Sequence, residues 1–288
     1  MTPPSPDISA RIARLFVYPV KSCAGVELQE SVLTETGLDL DRAWMVVDEQ
    51  GEFVSQRELP RMALIQPKLR FHDMVLRAPG MLALHVSIEE VEQPVKVRVW
   101  GDEVSAYDMG PIAAQWFSDF LGRKLRLVRF DPDHRRLSSL RWTGGVEALN
   151  QFSDGYPLLV LSQASMDDLN SRLVAAGHAA VGVERFRPNL VLEGLESHDE
   201  DRLPELVVAL ADDQEALLQL VKPCARCPIP NVDPLTGLSS PQVGDMLQAY
   251  RQDARLDGAC TFGMNAIVRS GVDGTLRVGQ TVRGNYQF

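Results

Sequence analysis

Residues 222–237 gather the side chains best suited to chemistry: the thiols Cys224 and Cys227, the cations Lys222 and Arg226, and prolines at 223, 228, 230 and 234. A Cys-x-x-Cys spacing suits a zinc knuckle, a dithiol redox centre, or one reactive thiolate with a structural neighbour. The adjacent Lys222 and Arg226 are expected to favour thiolate over thiol. A redox dithiol usually opens a helix. Here Pro228 and Pro230 follow at once and Pro230 biases Ile229 toward an extended backbone, so no helix is expected directly after Cys227. A structural zinc needs four ligands, and the chain has no second Cys-x-x-Cys and no paired-histidine spacing to complete the set.

Other candidates are spread along the chain. Lys21-Ser22 closes an apolar stretch with a cation and a hydroxyl, a combination able to hold an anion. Arg42 and Arg57 flank a segment, residues 45–55, that reads as a hairpin turning near Gln50-Gly51. Arg187 precedes Pro188 and is expected to be extended, and Asn189 beside it offers both donors and acceptors. The connection 131–148 is polar, bears arginines and contains Trp142-Thr-Gly-Gly145; loops this long are often functional or mobile. His134, in that loop, has no evident partner and reads as solvated.

The elements that must position these residues are mostly short strands. Apolar and β-branched runs at 12–20, 26–34, 95–100, 104–107, 123–130, 158–161, 190–192, 206–210, 216–221, 262–268 and 276–282 are punctuated by turn residues. Such frequent short strands point to a barrel or sandwich rather than a βαβ sheet. Three helices are expected: 111–121, with Ala114, Phe117 and Leu121 on one face; 164–176, with Met166, Leu169 and Leu173 inward and Ser165 with Asp168 as its cap; and 242–251. No glycine-rich phosphate loop follows any strand, which argues against a nucleotide-binding βαβ fold.

Composition narrows the function. With 45% hydrophobic and 24% charged residues the chain is an ordinary globular protein, and its net charge of −10 argues against a nucleic-acid or membrane-surface binder. No stretch has the roughly 18 apolar residues of a membrane span. Four cysteines and no secretory leader point to a reducing, cytoplasmic setting. An acidic chain that keeps Lys21, Arg42, Arg57, Arg187, Lys222 and Arg226 beside its unusual segments is expected to build one anion pocket.

Taken together, Tyr18-Pro-Val-Lys-Ser22, Asp41-Arg-Ala-Trp44, Gln56-Arg57 with Pro60-Arg61, Arg185-Phe-Arg-Pro-Asn189, Cys224-Ala-Arg-Cys227 with Asp233-Pro234 and Thr236-Gly237, and Gly274-Thr-Leu-Arg-Val-Gly279 resemble MOSC proteins. The resemblance runs from about Ala13 to the end of the chain. It includes the N-terminal β-barrel domain found with MOSC in amidoxime-reducing relatives. It implies an α+β, β-rich fold: a tail (1–8), an N-terminal β-barrel-like domain (9–130), and a MOSC β-barrel domain with a few packed helices (131–288).

The resemblance further implies that Cys227, not Cys224, is the thiolate ligand of molybdenum in a molybdenum cofactor (Mo-molybdopterin). Lys21, Ser22, Arg42, Arg187 and Asn189 would hold the cofactor's phosphate and pterin, with Arg57 and Arg226 in the same cation set. Asp154 would lie near the cofactor as a catalytic candidate beside Cys227. The implied activity is reduction of N-hydroxylated compounds (amidoximes, hydroxylamines, N-hydroxylated bases) by oxygen-atom transfer to molybdenum. The four cysteines cannot form a ferredoxin-type cluster set, so electrons would come from a separate protein of ferredoxin, cytochrome b5 or flavoprotein type. Pro228-Ile-Pro-Asn231 stands where such reductases often carry a hydroxyl-bearing pair, which bears on substrate preference. Sulfur carriage on a Cys227 persulfide is the alternative.

Overall fold

The computed structural model describes residues 6–91 and 93–287. Its largest sheet is a closed seven-strand barrel, in the order Leu158–Ser162, Leu190–Glu193, Ile8–Val17, Thr281–Gly284, Glu205–Ala209, Glu215–Ala225, Ala259–Ser270, and back to Leu158–Ser162. Closure leaves these strands no unpaired edge between neighbours. One pairing in the ring, Leu158–Ser162 with Leu190–Glu193, is parallel. Parallel neighbours need a long crossover, and the helix Gln163–Ala175 supplies it.

Period-two alternation explains the inward set. Over 215–221 the buried residues are Ala216, Leu218 and Leu220, clustered with Ile12, Leu15, Val160, Leu190 and Leu192 in the interior. Each such fully buried aliphatic contributes about 1.5–3 kcal/mol. The alternation then breaks. Register shifts fall between Leu220 and Lys222 and again between Pro223 and Ala225, where a proline that cannot serve the ladder is tolerated. These bulges turn the strand end, and Cys224 and Cys227 with it, onto the barrel rim.

The N-terminal half adds a four-stranded sheet, ordered Trp44–Val47, Arg126–Phe130, Asp102–Asp108, Gln93–Val99, and a three-stranded sheet from Gln66–Leu69, Asp73–Arg77 and Leu84–Ser87. The helix Gly110–Leu121 packs on them through Ala113, Trp116, Phe117, Phe120 and Leu121; Phe117 and Leu121 lie on the inward face as expected from sequence, while Ala113 rather than Ala114 joins them. The α+β, β-rich architecture read from the sequence is the one observed.

Two details differ from the sequence reading. Ile8, placed in the tail, opens the first strand; Met1–Ser5 lie outside the described residues. That strand pairs with Leu190–Glu193 and Thr281–Gly284, so the start of the chain is a stave of the barrel built by its end. On the Gln163–Ala175 helix the capping side chain is Ser162, which accepts from the Ser165 N–H; Ser165 instead donates to the buried Glu200. No helix of the described residues is long and apolar enough to cross a membrane.

Residues 131–157 carry no strand or helix, yet they are anchored. Arg136, 6% exposed, donates to Asn150 Oδ1 and to the carbonyls of Gln151 and Ser153, each at 2.7 Å, and to Asp102 at 2.9 Å. A buried guanidinium with all these acceptors is a strong local tie. It presents Ser153, Asp154 and Tyr156 to the barrel rim.

Candidate functional site

Lys21, Ser22, Arg42, Arg57, Asp154, Arg187, Asn189, Arg226 and Cys227 all line one pocket, together with Cys224, Tyr156 and Asn265. The space among these residues, counting the open solvent at the mouth, is ≈ 810 Å³.

Backbone geometry here is unusual. Ser22, Arg42 and Arg187 have φ of 69, 51 and 58°, the left-handed region that non-glycine residues visit at a cost. For Arg187 this corrects the extended conformation expected before proline: its φ/ψ is 58/45. The surroundings impose it. The Arg187 N–H donates to the Glu184 carbonyl at 3.2 Å, its own carbonyl accepts from Arg42 Nη2 at 3.1 Å, and its Nη1 donates to the Cys23 carbonyl at 2.6 Å. Both guanidiniums stack on the buried Tyr18 ring, Arg42 at 4.4 Å and Arg187 at 4.2 Å. Gly25 makes room for that ring, since a Cβ there would lie 2.6 Å from Tyr18 Cε1.

Polar commitments separate framework from free groups. Asn189 is buried; its Oδ1 accepts from the Leu159 N–H and Arg42 Nη1, and its Nδ2 donates to the Phe16 carbonyl. It therefore braces three segments and retains one Nδ2 hydrogen. Arg226 donates from Nε and Nη2 to the Phe262 carbonyl and from Nη1 to the Phe186 carbonyl, fixing the cysteine segment to the Ala259–Ser270 strand. By contrast, Arg187 Nη2 and Arg57 Nε are buried without a partner among the described residues. Buried donors are rarely left so.

The charges are tuned by burial and by one carboxylate. Burial lowers the pKa of Lys21, and the charge of Asp154 offsets this only in part; the Lys21 ammonium also donates to the Phe152 carbonyl at 2.8 Å and to Asp154. The surrounding protein works to raise the pKa of Asp154. The Lys21 charge and hydrogen bond and the Trp100 indole reverse this and hold the carboxyl below its usual range. With 63% of its side chain accessible, Asp154 remains partly screened by solvent. Burial, and then repulsion from Arg42, push Arg187 down to about 10, still a cation at neutral pH.

The cysteines behave differently from one another in setting. Cys224 and Cys227 are half-buried, and all four cysteines are free thiols. Burial raises the pKa of Cys224 and outweighs Arg226, so for this thiol the thiolate expected from neighbouring cations is not favoured. Lys222 lies 5.3 Å from the Trp142 ring, joining the 131–157 stretch to the cysteine strand. No α-helix directly follows Cys227, but Ile229–Asn231 forms a 3-10 turn, so Ile229 is not extended. Among the described residues no group of three His, Cys, Asp or Glu side chains could hold a metal ion, short of the four ligands of structural zinc.

Sequence reasoning assigned no role to Trp100, Arg136 or Tyr18. Trp100 sits at a hairpin turn and donates to Asp154 Oδ1 at 3.2 Å, with Arg57 stacked on it at 4.3 Å. The Trp100-Gly101 dipeptide was the available signal for that turn.

A closed β-barrel with a thiol and several cations converging on one pocket at its rim is what the fold presents. The chain matches the MOSC N-terminal beta barrel domain over residues 9–124 and the MOSC domain over 148–283, and it belongs to the MOSC family. Lys21, Ser22, Arg42 and Arg57 come from the first match; Asp154, Arg187, Asn189, Arg226 and Cys227 come from the second. It is 34% identical to mitochondrial amidoxime-reducing component 1 of Mus musculus over 94% of this chain and 81% of that protein. To its Homo sapiens counterpart it is 34% identical over 94% and 82%. To the molybdenum cofactor sulfurase of Homo sapiens it is 29% identical over 84% of this chain and 28% of the relative.

Proposed function

We propose that the chain binds the molybdenum cofactor in this pocket and reduces N-hydroxylated compounds, with electrons delivered by a separate protein. The observation that carries the reading is the convergence of unpartnered guanidinium nitrogens on Arg187 and Arg57 with the half-buried Cys227 thiol. Orphaned charged donors fit a phosphate, and a thiol is the kind of ligand a soft metal takes. The names of the relatives support the same class.

In this reading Arg187, Arg57, Arg42, Lys21 and Ser22 hold the phosphate and pterin, and Cys227 is the thiolate ligand. The bound centre would supply the two-electron, oxygen-accepting chemistry that removes oxygen from the N–OH group. Asn189 and Arg226 act by fixing the walls, Asn189 through Arg42 and Arg226 through the Phe186 and Phe262 carbonyls. Asp154 is held as a carboxylate, so it accepts hydrogen bonds from substrate rather than donating a proton at neutral pH.

The test is the molybdenum and pterin content of protein from cofactor-producing cells, with turnover of benzamidoxime under an artificial reductant. Near-equimolar molybdenum and turnover are expected, both lost in Cys227→Ala. Loaded protein that turns over no N-hydroxylated compound overturns the reductase reading.

A second reading, sulfur carriage on Cys227, draws on the half-exposed thiol and on the similarity to a cofactor sulfurase. It predicts a reducible mass increment of one sulfur on Cys227 after incubation with a cysteine desulfurase. Its absence removes this alternative.

A further inference from the structure

The strands Gln93–Val99 and Asp102–Asp108 are joined by only two residues, because Val99 pairs with Asp102. The first of the two, Trp100, has φ of 59°. That position of a tight hairpin ordinarily takes glycine, and a bulky residue there bears backbone strain. The available glycine is one position later, at 101. Trp100 is also 47% exposed, so core burial does not account for it. A strained backbone carrying a half-exposed aromatic points to a task for the side chain.

The task lies at Asp154. Among the described lining residues Asp154 is the single carboxylate, facing Lys21, Arg42, Arg57, Arg187 and Arg226. Lys21 and Trp100 both donate to the same atom, Oδ1. Among the described residues no donor reaches Oδ2, which stays available as an acceptor on an accessible side chain. Arg57, stacked on the Trp100 ring, and Phe53, 4.9 Å from it, hold the indole in place.

We propose, building on the reductase reading, that Trp100 is a positioning residue that fixes Asp154 so that Oδ2 accepts an N–H of the substrate. The favoured substrates then carry an N–H nitrogen on the carbon bearing the N–OH group, as an amidoxime does. Hydroxamic acids present a carbonyl oxygen at that place, an acceptor facing an acceptor, and are disfavoured. The amidine product, a cation with two NH2 groups, pairs with the carboxylate more strongly still.

The experiment titrates benzamidine into the full chain as purified, by calorimetry, for wild type, Trp100→Phe, Trp100→Gly and Asp154→Asn, with molybdenum content measured on each sample. In parallel, kcat/KM is compared between benzamidoxime and benzhydroxamic acid. Loss of the indole donor is expected to weaken benzamidine binding about 5–10-fold in both Trp100 variants, and more in Asp154→Asn, as for a hydrogen bond to a charged group. The benzamidoxime preference falls by a similar factor, through KM. Trp100→Gly is expected to melt within about 2 °C of wild type or higher, because glycine adopts positive φ without strain. Unchanged affinity in the variants, no benzamidine binding by wild type, or a Trp100→Gly midpoint lower by more than about 5 °C each overturns the proposal. If wild type turns over neither substrate, the reductase reading fails by itself, and the benzamidine titration still decides the role of Trp100.

Discussion

Arg42 Nη2 donates to the backbone carbonyl of Arg187 at 3.1 Å, and the two guanidiniums stack on one ring, that of Tyr18. Two like charges are thus held together within a buried corner. Their repulsion contributes, after burial, to the lowered pKa of Arg187. An arrangement of this kind is poised for an anion, which would relieve the repulsion and engage the unpartnered Arg187 Nη2.

Arg187→Lys is the corresponding test. An ammonium cannot donate to the Cys23 carbonyl, stack on Tyr18 and engage an anion at once. Pterin retained per protein after desalting is expected to fall about tenfold or more, the loss of one charge-assisted contact. Retention equal to wild type would show that the anion site lies elsewhere.

The Lys21–Asp154 pair makes a pH prediction with a definite sign. Asp154 has a depressed folded pKa, so its contribution is present above the unfolded carboxylate range and lost as pH falls through the folded value. Lys21 has a lowered pKa that Asp154 partly restores, so the pair also weakens on the alkaline side, once Lys21 loses its proton. The stability gap between wild type and Asp154→Asn should be largest near neutrality and shrink toward both extremes. Solvent screening at the accessible Asp154 limits it to about 1 kcal/mol, roughly 2–4 °C in melting temperature. Melting curves across pH check this; a gap that grows toward acid would contradict it.

Arg136→Ala should cost about 3–5 kcal/mol in denaturant unfolding, since it strands Asn150 and two carbonyls in a buried setting. Residues 131–157 should become protease-sensitive, and activity should fall with the displacement of Asp154. A neutral effect on both readouts would mean that other contacts hold the stretch.

Cys224 and Cys227 separate by substitution. Cys227→Ala is expected to lower bound molybdenum more than tenfold, whereas Cys224→Ala, whose thiol is disfavoured as thiolate by burial, should retain it within about twofold. Metal analysis on the two purified variants distinguishes them, and equal losses would assign both sulfurs to the metal.

Much of the site was legible because it depends on residue type and local chain constraint. The period-two apolar pattern marked the barrel strands, Pro228 and Pro230 excluded an α-helix after Cys227, and the cations stood out against an acidic background. Local rules failed where a neighbour in space outweighed a neighbour in sequence. Pro188 argued for an extended Arg187, but bonds to Glu184, Arg42 and Cys23 hold it left-handed. Lys222 and Arg226 argued for a Cys224 thiolate, but enclosure by the fold raises its pKa instead.

The sequence by itself determined the strand-rich class, the helix positions, and the set of thiols and cations from which a pocket could be made, because periodicity and side-chain chemistry are properties of the chain. Only the tertiary structure decided that Ile8–Val17 closes a barrel with Thr281–Gly284, that Arg136 is buried, and that Trp100 reaches Asp154. Those outcomes depend on contacts between residues up to some 270 positions apart, whose strength comes from burial and mutual geometry that no local pattern encodes.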